Sequence, residues 1–230
     1  MIINPYRGGG GGGSAETVVF LDQYSGSAGP MNTPSQHAPD TAPAHWFYIE
    51  WSQIAQLTGT GEYVPSTGFG SENTASPYSN AGSLISIGRT PWSIPVTSSS
   101  FYIEAVFDLN ATAGPSDDFG FDWWQMVEAP GGAASSYIGM YVHRFLDQVE
   151  CYTIPADNTY SIGSLSGLVT MKAVVGATSV EFFLNGTSLG SQALDAYPTA
   201  LNAMDSYVSA HDMGGGSWTV GASSMKVALL

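Results

Sequence analysis

Basic residues are scarce in this sequence of 230 residues. Five lysines and arginines stand against 19 aspartates and glutamates, and the formal net charge is −14. A surface with this balance repels phosphate backbones and anionic lipids. We therefore expect neither a nucleic-acid partner nor membrane insertion. The acidity by itself is sufficient to keep a serine- and glycine-rich surface soluble.

Cysteine, a secretory leader and long apolar runs are missing as well. Cys151 is the one cysteine, so the chain cannot form an internal disulfide. The first residues lack the charged start and apolar run of a signal peptide. No stretch approaches the ~20 apolar residues of a membrane span. These absences predict a soluble protein that is assembled in a cytoplasm.

Long amphipathic helical patterns are also absent, and the best helical candidate, Trp51–Leu57, is short. Short runs rich in Val, Ile, Phe, Tyr and Trp recur instead, separated by turn residues, and this pattern is typical of a β-sandwich. The runs predicted as strands are Glu16–Tyr24, Ala44–Trp51, Ala81–Gly88, Trp92–Val96, Ser100–Asn110, Phe119–Glu128, Ser136–Leu146, Gln148–Ile154, Leu168–Gly176, Ser179–Ser191 and Ser217–Leu230.

Two local patterns support the strand assignment. In the run SFYIEAVFDLN the odd-numbered positions from Phe101 to Phe107 are all apolar, whereas the even-numbered positions include Glu104. This period of two predicts one buried face. Asn185 and Gly186 separate two further runs, and this dipeptide predicts a tight hairpin because both central residues need a positive φ.

The laminin-G-like members of the concanavalin A-like lectin/glucanase superfamily have strands that resemble three stretches of this sequence: WSIPVTSSSFYIEAVFDL, VTMKAVVGATSVEFFLNGTSLGS and WTVGASSMKVALL. The resemblance covers roughly Glu16–Leu230. It implies an all-β fold, a jelly-roll sandwich of two antiparallel sheets. Members of the superfamily bind sugars or proteins, cut polysaccharides, or serve as structural modules.

The chain begins with MIINPYR followed by a glycine run, Gly8–Gly13. Ordering glycine costs more backbone entropy than ordering any other residue, so this run predicts a flexible tether. We therefore divide the chain into an anchor peptide and tether at residues 1–14 and one β-sandwich domain at residues 15–230, with an extended N-terminal arm. An engineered linker or a disordered tail is the alternative interpretation.

The start INPYR is similar to the first residues of many tailed-phage virion proteins, with Gly8 in place of an aromatic residue. In this interpretation residues 1–13 dock on other virion proteins of a capsid or tail. A homo-oligomer or repeated copies are expected, because such assemblies are symmetric. The residues suited to this anchoring are Ile2, Ile3, Pro5, Tyr6 and Arg7.

The carboxylates do not form a catalytic pattern along any one predicted strand. Glucanases of the superfamily that this sequence resembles carry paired carboxylates at positions i, i+2 and i+4 of one strand. Here Asp118, Asp122 and Glu128 are four and six positions apart, or roughly 13 and 20 Å at ~3.3 Å per residue. The four histidines are isolated, and no HExxH pair is present. We therefore expect no enzyme activity, no metal site and no cofactor, although turn aspartates such as Asp117 leave a loop calcium site open.

Carbohydrate sites combine aromatic faces with a few polar groups, and the stretches FDWWQM and YVHRF contain both. Alternation along a strand places one tryptophan on each side of the sheet. With Trp123 in the core, Trp124 lies outward beside Asp122, and Tyr141 shares a face with His143. We predict that these four outward residues, Trp124, Tyr141, His143 and Asp122, form a glycan-binding platform. The alternative is that the aromatics belong to the core or are covered by loops or subunits.

The two resemblances together predict a non-enzymatic phage virion structural protein, assembled in the host cytoplasm and located in the virion. It would be a capsid decoration, fibre or tail component that displays a lectin-like domain for adhesion to a surface or glycan. The alternatives are a polysaccharide-active glycoside hydrolase or a free carbohydrate-binding lectin of the same superfamily. Clustered carboxylates on the concave face would favour the enzyme.

Overall fold

The computed structural model describes residues 16–23, 29–30, 40, 55–57, 63–65, 84–86, 94–113, 120–129, 136–143, 147–153, 156–201, 203–211 and 219–230. In 29–30, 55–57, 63–65, 84–86, 94, 107–113, 120–129, 136–137, 143, 203–211 and 219–223 it describes the backbone and its pairing. All regular elements among these residues are β-strands. The anchor peptide, the glycine tether and the predicted strand Ala44–Trp51 lie outside the described residues.

Seventeen strands occur in the described part of the chain. In chain order they are β1 (Thr17–Asp22), β2 (Gly29–Pro30), β3 (Ala55–Leu57), β4 (Tyr63–Pro65), β5 (Leu84–Ser86), β6 (Ile94–Pro95), β7 (Phe101–Ala113), β8 (Gly120–Ala129), β9 (Ser136–His143), β10 (Gln148–Thr153), β11 (Asp157–Ser161), β12 (Leu168–Val175), β13 (Ser179–Leu184), β14 (Thr187–Ala193), β15 (Ala200–Leu201), β16 (Ala203–His211) and β17 (Thr219–Leu229).

Two antiparallel sheets contain most of these strands. The nine-stranded sheet has the order β14, β13, β12, β7, β17, β4, β3 and β2, and β1 also pairs with β17. The six-stranded sheet has the order β11, β10, β9, β8, β16 and β5, and β15 pairs separately with β6. This arrangement confirms the predicted all-β sandwich. The helical candidate was wrong at its C-terminal end, because Ala55–Leu57 is a strand.

One apolar core is built from alternate residues of both sheets. Phe101 and Ile103 of β7 belong to the same buried cluster as Val149 and Cys151 of β10. All four are at most 1% exposed, which confirms the alternation predicted for the β7 run. Each large apolar side chain buried in this way contributes about 1.5–3 kcal/mol, so the core fixes which face of each sheet remains outside.

The tight turn predicted between β13 and β14 is confirmed. Asn185 and Gly186 have φ values of 50° and 77°, in the left-handed region that a two-residue hairpin of this class requires. The turn is also tied to β12, because the Thr170 amide donates to Asn185 Oδ1 at 2.8 Å. The Asn185 amide donates in return to the Thr170 carbonyl at 2.8 Å.

Six strands were not predicted from the sequence: the short strands β2, β3, β4 and β15, and the longer strands β11 and β16. β11, with the sequence DNTYS, is almost entirely exposed and forms one edge of the six-stranded sheet. β16, with the sequence AMDSYVSAH, pairs with β8 along nine register positions. Both are rich in polar or small residues and lack the aromatic and β-branched run that marks a strand. Their backbone pairing in the folded sheet holds them in place.

Candidate functional site

The face of the six-stranded sheet that is turned away from the core is defined by alternation along β10. Val149 and Cys151 are fully buried in the core. Glu150 and Tyr152 alternate with them and are only partly buried, so they lie on the opposite side. We call this side the outer face of the six-stranded sheet.

The backbone register brings the four predicted glycan-binding residues together. Trp124 of β8 is directly opposite Tyr141 of β9, and Asp122 is directly opposite His143. Directly opposite residues of an antiparallel pair share one face of the sheet. Asp122, Trp124, Tyr141 and His143 therefore occupy adjoining register positions on the outer face.

The same row of register positions continues onto both neighbouring strands. Glu150 of β10 is opposite Tyr141, and Tyr207 of β16 is opposite Trp124. Glu150, Tyr141, Trp124 and Tyr207 thus form a row across four strands, with three aromatic residues in succession. Sequence reasoning missed the two end members. The alternation of Asp205, Tyr207 and Ser209 in the stretch MDSYVSA is the signal that could have identified Tyr207. This stretch forms a strand, β16.

Tyr141 differs in one respect from the prediction. Its side chain is only 7% exposed, although it does not belong to the core cluster between the sheets. An open stacking surface for a sugar ring needs an accessible aromatic face. Tyr141 by itself therefore offers little open surface, and the binding of a glycan by these four residues stays a prediction.

Carboxylates gather at the β10 and β11 end of this row. The Tyr152 hydroxyl donates a hydrogen bond to Glu150 Oε2, and Asp157 lies directly opposite Tyr152 in the register. Burial raises the pKa of the Asp157 carboxyl, and the negative charge of Glu150 raises it further. These two carboxylates supply hydrogen-bond acceptors of the kind that hydroxyl-rich ligands use.

The carboxylates of β8 itself are far apart. Asp122 and Glu128 lie on one continuous strand, Gly120–Ala129. Their separation of six residues corresponds to roughly 20 Å at ~3.3 Å per residue. Trp124 and Met126 occupy the register positions between them, so β8 lacks a carboxylate triplet at i, i+2 and i+4.

A closer pair of acidic positions arises between two strands. Asp205 of β16 is directly opposite Met126 of β8, and Glu128 is two residues further along β8. Such diagonal neighbours lie about 7–8 Å apart. The register therefore places Glu128 and Asp205 near each other on the outer face, on two adjacent strands.

Among the described residues, no group of three or more His, Cys, Asp and Glu side chains could hold a metal ion. In the same part of the chain, no helix has the length and apolarity to cross a membrane. The predicted anchor residues Ile2, Ile3, Pro5, Tyr6 and Arg7 lie outside the described residues, and their docking stays a prediction.

No protein-family model and no curated protein matches the sequence, whereas several solved structures share its fold. The β-glucanase of Bacillus licheniformis gives a TM-score of 0.52 at 9% identity, over 90% of this chain and 96% of that chain. An immunostimulatory antigen and pseudo β-1,3-glucanase of Mycobacterium tuberculosis gives 0.54 at 13% identity, over 91% and 98%. A GlcNAcα1-4Gal-releasing endo-β-galactosidase of Clostridium perfringens gives 0.55 at 12% identity, over 99% and 65%.

These likenesses show a concanavalin A-like jelly roll of the type found in glucanases, and they confirm the predicted fold class. The prediction of a phage virion structural protein is wrong, because the structures of similar fold named above are glycoside hydrolase-like proteins. The similarity that INPYR has to phage proteins gains no support from them. The carbohydrate-related alternatives fit the comparisons better. Oligomeric state and localisation stay predictions.

Proposed function

We propose that this protein is a lectin-like polysaccharide-binding protein that holds its ligand on the outer face of the six-stranded sheet without cleaving it. The observation that carries the proposal is the register that sets Trp124 opposite Tyr141 and Asp122 opposite His143. This arrangement combines aromatic and polar groups within two residues along each strand. A sugar ring needs both, because it has apolar C–H faces and polar hydroxyl edges.

The absence of cleavage is supported by the spacing of the carboxylates on β8. Retaining hydrolysis requires two carboxyl groups about 5–5.5 Å apart, and inverting hydrolysis requires about 6.5–9.5 Å. Asp122 and Glu128 are separated by six positions on β8, which exceeds both ranges. A non-catalytic role is compatible with the fold, since one protein of similar structure is described as a pseudo β-1,3-glucanase.

The experiment is affinity electrophoresis of the full chain in gels that contain laminarin, mixed-linkage β-glucan, xylan or galactan. We expect retardation by at least one polysaccharide. Trp124→Ala should weaken binding about tenfold or more, because aromatic anchors dominate such contacts. The control is Leu230→Ala, which truncates a partly exposed leucine at the C-terminus. Circular dichroism should show that both variants remain folded. Equal retardation of the two folded variants contradicts the proposal.

A second candidate function, polysaccharide hydrolysis, is favoured by the diagonal positions of Glu128 and Asp205. Diagonal positions lie about 7–8 Å apart along the backbone, close enough for the two carboxyl groups to reach the separation of about 6.5–9.5 Å that inverting chemistry requires. This candidate requires that the wild-type chain release reducing ends from a polysaccharide that it binds. It further requires that Glu128→Gln and Asp205→Asn each abolish the release, whereas Glu150→Gln preserves it.

A further inference from the structure

A groove of about 900 Å³ lies on the other side of the sandwich, on the outer face of the nine-stranded sheet. Its lining residues come from β7, β12, β13 and β17, from the turn Asn185–Gly186 after β13, and from Glu16, which precedes β1. A volume of this size falls within the usual range for small-molecule sites. The core separates this groove from the aromatic row on the six-stranded sheet.

The groove brings together two of the five basic residues of the chain. Lys226 Nζ lies 2.5 Å from Glu16 Oε1, and Lys172 Nζ lies 3.4 Å from Glu104 Oε2. Each cation therefore has a carboxylate partner, and the four charges cancel. A groove with no net charge on a protein of net charge −14 does not suit a polyanionic ligand.

Tyr102 is held between these ion pairs. Its ring centroid is 3.8 Å from Lys172 Nζ and 5.2 Å from Lys226 Nζ, and its hydroxyl donates to Glu16 Oε2 at 2.7 Å. The side chain is only 4% exposed. Hydrogen bonds and cation–π contacts of this kind hold the polar groups in one geometry, so the groove presents a preorganised set of donors and acceptors.

Apolar side chains complete the lining. Leu168 lines the groove and is 61% exposed, so its apolar surface is open to a ligand. Val174 and Phe183 line the same groove. The groove therefore combines apolar contact surface with fixed hydrogen-bond donors and acceptors, and its charged side chains sum to zero.

We propose that this groove is a second carbohydrate-binding site, specific for a neutral oligosaccharide. A neutral sugar matches the groove because its hydroxyls both donate and accept, while its ring faces pack on Leu168 and Phe183. This proposal rests on the proposed function, because it assumes that the protein binds carbohydrate at both sites. With one site on each side of the sandwich, one chain holds two glycan strands at the same time.

The experiment is isothermal titration calorimetry of the full chain with cellotetraose, laminaritetraose and xylotetraose, and with trigalacturonate as the anionic comparison. We expect two bound molecules per chain for at least one neutral probe, with dissociation constants of about 1 mM or below. Leu168→Asp changes an exposed side chain and should leave one site. The matched control Leu230→Asp, at the other exposed leucine, should retain two.

The outcomes separate this proposal from the function proposed above. If Leu168→Asp and Trp124→Ala each remove one of two sites, both proposals hold. If the wild-type chain has a single site, and Trp124→Ala removes it whereas Leu168→Asp leaves it intact, the groove proposal is overturned and the proposed function holds. If the wild-type chain has a single site that only Leu168→Asp removes, the groove is a binding site, and the proposed function of the outer face of the six-stranded sheet is overturned. Preference for trigalacturonate over all neutral probes, or no binding of any probe, overturns the groove proposal.

Discussion

Lys226 Nζ lies 2.5 Å from the Oε1 atom of Glu16, although 210 positions separate the two residues in the sequence. β1 pairs with β17 in a register that sets Thr17 opposite Leu229 and Leu21 opposite Lys226. The long side chains of Glu16, which precedes β1, and of Lys226 therefore extend towards each other. The Tyr102 hydroxyl donates to the other carboxylate oxygen of Glu16 at 2.7 Å. The first described residue of the chain is therefore attached to the last long strand and to the floor of the groove.

This contact predicts a specific loss of stability in acid. The hydrogen bond from Lys226 and then that from Tyr102 hold the pKa of the Glu16 carboxyl below its usual value of 4.5. A lowered pKa in the folded state means that the stabilisation is present above about pH 4.5 and is lost as the pH falls through the folded-state pKa. The Glu16 side chain is 44% exposed, so we expect less than about 1 kcal/mol.

The measurement is urea unfolding of wild type and Glu16→Gln between about pH 3 and pH 7. Glu16→Gln should be less stable at neutral pH, and the difference should shrink in acid because the glutamine has no charge to lose. The control Glu181→Gln removes the same charge beside Ser188. A constant difference between Glu16→Gln and wild type over this range contradicts the prediction.

Cys151 should be chemically inert in the native protein. It is fully buried in the core, and burial raises the pKa of its thiol from the ordinary value of 9.0 to about 12. The thiolate is the reactive form, so we expect no alkylation by iodoacetamide at pH 8 until the chain is unfolded in urea. Rapid alkylation of the folded protein contradicts this placement.

The same thiol predicts a loss of stability in alkali. Because its pKa is higher in the folded state, the stabilisation is present below about pH 9 and is lost as the pH rises through about 12. Tyr102, whose pKa burial also raises to about 12, titrates in the same range. Cys151→Ala isolates the contribution of the thiol: its stability should fall less steeply above pH 9 than that of wild type. Parallel curves would show that the thiol does not contribute.

A buried polar contact joins the two sheets between β10 and β14. The Thr153 hydroxyl lies 3.1 Å from Gln192 Oε1 and 2.9 Å from the Ala193 carbonyl, and Gln192 Nε2 donates to the Cys151 carbonyl at 2.7 Å. Both side chains are 4% exposed. Thr153→Val keeps the shape but removes the hydroxyl, so we expect a loss of about 1–3 kcal/mol in the free energy of unfolding.

Chemical denaturation of Thr153→Val against wild type measures this loss. Ser188→Ala is the control, because it also removes one hydroxyl that donates to a side chain, but on the surface, where Ser188 Oγ bonds Glu181 at 2.8 Å. Surface substitutions of this kind stay within about 0.5 kcal/mol. Equal effects of the two substitutions would mean that the contact between the sheets contributes nothing beyond an ordinary surface bond.

Gly190 should not tolerate a side chain. Its φ is 125°, and a Cβ atom there would lie 3.4 Å from the Tyr160 hydroxyl, at the place where β14 meets β11. Gly190→Ala should cost about 1–3 kcal/mol through backbone strain. Gly163→Ala is the matched control, since nothing lies within 4 Å of its Cβ position, and thermal unfolding should show little change. A stable Gly190→Ala variant contradicts the assigned backbone conformation.

Much of the fold could be predicted because its signals are local. Alternation between Phe101 and Phe107 marks a strand with one buried face, and the positive φ values at Asn185 and Gly186 follow from the chemistry of these two residues alone. The longer strands that were missed, β11 and β16, contain few residues with strong strand preference. Pairing with β10 and β8 holds them in place, and a sequence pattern does not show which strands will pair.

The candidate site divides in the same way. The sequence by itself determined that Trp124 lies on the opposite side of its strand from Trp123, and Tyr141 on the opposite side from Met140 and Val142, because side-chain direction along a strand depends only on position. Only the tertiary structure decided that Trp124 stands opposite Tyr141, that Tyr207 and Glu150 extend their row, and that Glu16 meets Lys226. These relationships depend on the register between strands that are distant in the chain, and register is set when the whole core packs.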